Sequence, residues 1–190
     1  IQIFGENCIT NIQKGKYAPP QYLKMALGQK EGDLKMDKLK RRQEMGKINA
    51  EILAAVDQKQ IDELVDAIIN ARRIFVSGWG RAGNIVRILG MNMSQLGMNV
   101  FCVGDNNTPS IHERDLLIIF SGSGNTKTIS LICQQGKDHG AKVCLISGNA
   151  DSTMGKIADI NVVIPASQWK EEKPGEEHSE VRGLNVYQVA

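Results

Sequence analysis

The sequence predicts an α/β fold, a three-layer αβα sandwich with a five-stranded parallel sheet. Three observations predict it. Between Ile74 and Ile164 the hydrophobic period switches repeatedly between that of a helix and that of a strand. The strand-like runs are almost continuously apolar, which suits strands covered on both faces. Glycine-rich turns follow two of those runs at once, where a strand must hand over to a helix. Strands alternating with helices imply right-handed βαβ crossovers and a doubly wound sheet.

Residues 1–33 carry Pro19-Pro20 and scattered glycines that break any period, so they read as an N-terminal arm or extension. The domain proper is expected over 34–165. It opens with two helical stripes: Leu39, Met45, Ile48, Ile52, Leu53 and Val56, then Ile61, Leu64, Val65, Ile68 and Ile69. Steps of three and four residues put each set on one helix face, for core packing or a subunit interface. Ile74–Ser77 is the first strand. A helix over Asn84–Leu96 follows, with Ile85, Ile88, Leu89 and Met93 inward and Gly97 as its terminator. Asn99–Val103 is the second strand and Asp115–Phe120 the third. A helix over Thr126–Gln135 leads to the fourth strand, Lys142–Ser147. Asp151 or Ser152 is expected to cap a short helix through Ala158, before the fifth strand, Ile160–Ile164. Residues 166–190 form a polar, charged C-terminal tail with no readable element.

The chain has 190 residues and a net charge of +2. Such a balance lacks the concentrated basic face that nucleic acids need, and the basic run Lys38–Arg42 suits the wet side of a helix. No apolar run approaches the roughly 20 residues that span a bilayer, and the first residues lack the pattern of a secretion signal. The four cysteines show no metal-like spacing, and Cys102 and Cys144 fall inside strand-like runs as small hydrophobes. A cytoplasmic protein without metal, nucleic-acid or membrane partner is expected.

In open α/β sheets, ligands bind beyond the carboxyl ends of the strands, where strand order reverses. Two turns qualify: Gly78-Trp79-Gly80-Arg81-Ala82-Gly83 after the first strand and Ser121-Gly122-Ser123-Gly124-Asn125-Thr126 after the third. The second is the more informative. Its glycines let backbone approach a ligand. Ser121, Ser123 and Thr126 add three hydroxyls, and the helix that starts there aims its free amides and dipole into the same space. Together they make a cradle for a dianion such as a phosphate monoester. The first turn of that helix holds Lys127 and no acid, which fits a site for an external anion. The plainer alternative is a serine-glycine turn that only caps the helix. The first turn matches G-x-G-x-x-G, and Asp105 lies 22 residues beyond Gly83, near the place of a ribose-binding acid. That pattern alone leaves a dinucleotide-binding enzyme open. Among the histidines, His112 precedes the third strand and is expected near the ligand side, where it could assist proton transfer. His139 sits at a helix end and reads as structural, and His178 lies in the tail.

The segment from about Ile74 to Ile164 resembles a sugar isomerase (SIS) domain, and within that family the 6-phospho-3-hexuloisomerases. The pieces that carry the resemblance are Gly78–Gly83, Leu96-Gly97-Met98, Val103-Gly104-Asp105 with Thr108-Pro109-Ser110, and Asp115–Ile118 leading into the serine loop. The resemblance implies a flavodoxin-like SIS fold, no cofactor, and a phosphosugar as the small-molecule partner. It implies that Ser121, Gly122, Ser123 and Thr126 hold the phosphate, with Gly80 and Arg81 beside the ligand. The reaction it implies interconverts 3-hexulose 6-phosphate and fructose 6-phosphate through a cis-enediol, in a homo-oligomer, dimer or tetramer. Three departures stand out. Relatives commonly carry serine where this chain has Ala82, and glutamate where it has Asp105. The segment after the fifth strand, which in the family brings a glutamate base, is echoed only by Pro174-Gly175-Glu176-Glu177-His178. Glu177 is the first choice for the base, ahead of Glu176 and Glu180, with His112 as the second catalytic candidate. A non-catalytic phosphosugar-binding module, or another isomerase such as one for arabinose 5-phosphate, remains an alternative.

Overall fold

The computed structural model describes residues 38–166. The chain divides into two compact units, Ile1–Glu44 and Met45–Ala190, with the boundary inside the first helix; the description below concerns the second unit. The elements are helix α1 (Lys38–Ala54), α2 (Gln58–Asn70), strand β1 (Ile74–Gly78), α3 (Gly80–Gln95), β2 (Val100–Cys102), β3 (Leu116–Phe120), α4 (Lys127–Asp138), β4 (Lys142–Ser147) and β5 (Ile160–Val163). All five strands pair in parallel, in the order β2-β1-β3-β4-β5.

Every residue of β3 is buried, as its apolar run demands. Side chains alternate between the two sheet faces. Ile74, Val76, Leu116, Ile118, Phe120, Cys144, Ile160 and Val162 pack with Ala67 of α2 and with Ala82, Val86 and Met93 of α3. Phe75, Leu117, Ile119, Val143 and Leu145 pack with Ile129 and Cys133 of α4 and with Met154. Helices on both faces give the three-layer sandwich. Burial pushes the Cys133 and Cys144 thiols up to about 11 and about 12, so both stay protonated.

Both long crossover helices end the same way. Gly97 at φ 86° closes α3: its amide donates to Ser94 and that of Met98 to Met93. After α4, the amides of Gly140 and Ala141 donate to Lys137 and Gly136. Both are Schellman closures.

Three helical expectations are corrected. α3 begins at Gly80, four residues before the expected Asn84. Ile88, expected inward, is 55% exposed; two residues from buried Val86, it lies about 200° around the helix. The short helix after Asp151 is instead a series of turns, organised by Ser152, whose hydroxyl accepts the Gly155 amide at 3.1 Å. The two N-terminal stripes divide. Ile52, Val56, Leu64 and Ile68 pack on the core, whereas Ile48, Leu53, Val65 and Ile69 are exposed.

At the amino edge of the sheet, buried Asp115 accepts hydrogen bonds on both oxygens. Arg72 donates at 3.0 and 3.0 Å, Arg73 at 3.3 and 2.8 Å, and the His112 amide at 2.9 Å. Burial pushes this carboxyl up, but the hydrogen bonds from Arg73 and Arg72 and from the His112 amide, with the Arg73 charge, outweigh it and bring it to about 2.

Candidate functional site

The strand order reverses between β1 and β3, the two central neighbours from which the chain departs to opposite sides. Just past their carboxyl ends lies a cavity of about 290 Å³, lined by Trp79, Ala82, Phe120, Ser121, Gly122, Ser123, Thr126 and Ile129. This is where a doubly wound sheet holds its ligand.

The backbone around it is fixed by close packing. A Cβ on Gly78 would come within 2.9 Å of the Phe120 carbonyl oxygen, and one on Gly83 within 2.8 Å of the Gly78 oxygen. Two glycines of the G-x-G-x-x-G pattern therefore let α3 press against the strand ends. Gly124 adopts φ 67°, and a Cβ there would strike the Ser152 hydroxyl at 2.1 Å.

The serine loop is internally tied. The Gly124 amide donates to the Ser121 hydroxyl at 3.2 Å, and the Asn125 amide to that of Ser123 at 3.3 Å. It is also braced by the β4–β5 connection. The Gly148 amide donates to the Gly122 carbonyl at 3.0 Å and the Met154 amide to that of Gly124 at 3.1 Å. Asn125 bridges the two segments: its amide group donates to the Ser123 carbonyl at 3.1 Å, and its oxygen accepts the Thr153 amide at 2.9 Å.

Thr126 occupies the N-cap position of α4, yet its side chain makes no capping hydrogen bond. Its hydroxyl lies 3.5 Å from that of Ser121 instead. The first intrahelical bond runs from the Ser130 amide to the Thr126 carbonyl at 2.9 Å, so the amides of Lys127, Thr128 and Ile129 precede the helical ladder. No acid stands in the first turn of α3 or α4. Hydroxyls, early helix amides and a positive dipole end converge on one cavity, which is the chemistry of an anion cradle.

The structure brings Ser121, Gly122, Ser123 and Thr126 together around the cavity. Gly80, at φ 59°, and exposed Arg81 open α3 beside it without lining it. His112 is not brought there. It sits three residues before Asp115 at the amino edge, while Ser121 follows β3 at the carboxyl edge; five residues of strand, about 16 Å, separate the two. The expectation that His112 lies near the ligand side of the sheet is corrected accordingly. Glu176, Glu177 and Glu180 lie outside the described residues. Asp105, the acid of the dinucleotide alternative, is engaged by Arg87 at 2.9 Å. Among the described residues, no ionisable side chain lines the cavity.

Sequence reasoning missed Trp79, Ala82, Phe120 and Ile129 as lining and Asn125 as the brace. The position of Trp79, first after a strand, was the available signal.

Comparison with known proteins gives a consistent picture. The family model for the SIS domain matches residues 67–172. A 3-hexulose-6-phosphate isomerase of Mycobacterium gastri is 37% identical over 119 residues, covering 63% of this chain and 60% of the relative. One of Bacillus subtilis is 34% identical over 114 residues, covering 60% and 62%. The chain thus spans less than two thirds of the length of these curated relatives. Among solved structures, a hypothetical protein of Methanococcus jannaschii, whose structure is described as inferring a 3-hexulose-6-phosphate isomerase function, superposes with a TM-score of 0.64 at 25% identity. That match covers 78% of this chain and 84% of the other.

Proposed function

Because the chain belongs to the SIS domain family, we propose that it is a sugar-phosphate isomerase interconverting 3-hexulose 6-phosphate and fructose 6-phosphate. The observation that carries this reading is the N-cap threonine that does not cap. Thr126 keeps its hydroxyl for the cavity, beside Ser121 and Ser123, at the mouth of an uncapped helix. The likeness to two 3-hexulose-6-phosphate isomerases supports the choice of substrate.

In this reading the Ser121–Thr126 loop and the first amides of α4 fix the phosphate. The carbon chain then extends along the carboxyl edge. A base removes the proton from C2 beside the C3 carbonyl, leaving a 2,3-cis-enediolate, the anion of the cis-enediol. The proton returns at C3, the hydroxyl proton passes from O2 to O3, and the carbonyl stands at C2. No redox partner or cofactor enters. The base must come within hydrogen-bond reach of the migrating proton, directly or through one water. Glu177 is the first choice, followed by Glu176 and Glu180. Glu177→Gln should abolish turnover of 3-hexulose 6-phosphate and keep binding. Turnover unchanged in that variant rejects Glu177 as the base. An assay over a panel of phosphosugars that includes arabinose 5-phosphate tests the substrate.

A second reading, a phosphosugar-binding module without turnover, is favoured by one observation: among the described residues, no ionisable side chain lines the cavity. Saturable binding with no isomerisation of any panel member would select it. In either case we infer a homo-oligomer, dimer or tetramer, motivated by the exposed apolar side chains of Ile48, Leu53, Val65 and Ile69. A strict monomer in sedimentation at micromolar concentration would overturn that.

A further inference from the structure

The cavity is larger than a phosphate group requires. Its volume is about 290 Å³. Its lining is also divided by chemistry. The hydroxyls of Ser121, Ser123 and Thr126 belong to the β3–α4 turn, while Trp79 comes from the β1–α3 junction and Ala82 from the first turn of α3. Buried Phe120 and Ile129 complete the wall.

Trp79 is the unexplained member of that wall. It is 72% exposed, so core packing does not account for it. It holds the N-cap position of α3 with φ −127° and ψ 148° and makes no side-chain capping bond. Ser, Thr, Asp or Asn would serve the helix better there. Among the described residues its indole N–H has no hydrogen-bond acceptor and its ring no aromatic partner. Its backbone, by contrast, is held between Gly78 and Gly83, whose close approach fixes the turn. A large rigid ring is thus presented at the rim of an anion cradle, with an apolar face and one polar edge open.

We propose that Trp79 is the specificity-determining residue of this site: its indole is the surface against which the carbon chain of the bound phosphosugar packs, C–H face to ring, once the serine loop holds the phosphate. Binding sites for small molecules combine such apolar walls with a few placed polar groups. The hydroxyl side reads the anion, and the indole side reads what is attached to it. The inference rests on the phosphosugar reading above and adds to it the residue that distinguishes a sugar phosphate from phosphate alone.

Calorimetric titration of fructose 6-phosphate and of inorganic phosphate into the full chain and into Trp79→Ala tests it. The variant should lose roughly tenfold in affinity for fructose 6-phosphate and less than about twofold for inorganic phosphate. Trp79→Phe, which keeps a ring, should recover most of the loss. In a Trp169→Phe background Trp79 is the sole tryptophan. Its emission should then change saturably with fructose 6-phosphate and not with inorganic phosphate. Unchanged affinity in Trp79→Ala, or equal losses for both ligands, overturns the inference while the phosphosugar reading stands. If the unaltered chain binds no phosphosugar, that reading fails and the inference falls with it.

Discussion

At the amino edge of the sheet, Asp115 is buried and both its oxygens are taken, by two arginines and a backbone amide. At the carboxyl edge, some 16 Å away along β3, Thr126 sits at a helix start without capping it, and the amides of the first turn of α4 precede any intrahelical bond. The same sheet therefore closes its polar accounts at one end and leaves them open at the other. The first edge is built for stability. The second leaves the first amides of α4 outside the helical ladder, in a loop that the β4–β5 connection braces. Polar satisfaction, more than residue type, separates a structural cluster from a binding one: His112, a residue type suited to catalysis, belongs to the satisfied edge.

The largest effect expected of that contrast is at the amino edge. Asp115→Asn should destabilise the fold by about 3 kcal/mol, because two arginine groups lose a buried counter-charge. Urea denaturation measures it. Affinity for fructose 6-phosphate in the folded fraction should stay within error, and a change there would mean the two edges are coupled.

Ser123→Ala tests the other edge. Losing one hydrogen bond to a charged group costs roughly 1.5–3 kcal/mol, so phosphosugar affinity should fall by about tenfold or more. Stability should move by less than about 0.5 kcal/mol, since the side chain is exposed. Unchanged affinity would reduce the loop to a helix start.

A smaller effect follows from pH. The Asp115 carboxyl stands at about 2 in the fold against about 3.9 in an unfolded chain. The native state thus keeps the charge that the unfolded state gives up. This stabilisation is present above about pH 4 and is lost as pH falls through about 2. Its size is about 1–2 kcal/mol, because solvent screens the half-exposed Arg72. Acid titration followed by circular dichroism should show this limb in the unaltered chain and not in Asp115→Asn.

The smallest effect is the sharpest. Removing a working threonine N-cap costs about 1 kcal/mol. Thr126→Ala should cost less than about 0.5 kcal/mol in thermal or urea unfolding, because no capping bond exists to lose, and it should still weaken phosphosugar binding. A full capping penalty would place the hydroxyl on the helix rather than in the cavity.

The sheet was legible because its strands are buried on both faces and read as unbroken apolar runs; Leu116–Phe120 is the clearest. The serine loop was legible because three hydroxyls and two glycines fall between a strand and a helix. The start of α3 was not, since Gly80 and Gly83 resemble loop residues and serve there for turn geometry and close packing. His112 was placed on the wrong side, although parallel topology held the answer: the connection from β2 to β3 must return to the amino edge before β3 begins. Asn125 was visible as a loop residue, but its bracing role was not, because its partner Thr153 is 28 residues away.

The brace between the two loops has a consequence for measurement. The amides of Gly148, Thr153 and Met154 donate into the serine loop, yet none of these residues lines the cavity. Their exchange with deuterated solvent requires those bonds to open. An anion that holds the loop still should therefore slow exchange at all three, in a segment it never touches. Slower deuterium uptake at these amides, read by mass spectrometry or NMR, is then the expected sign of occupancy, whether or not the ligand turns over.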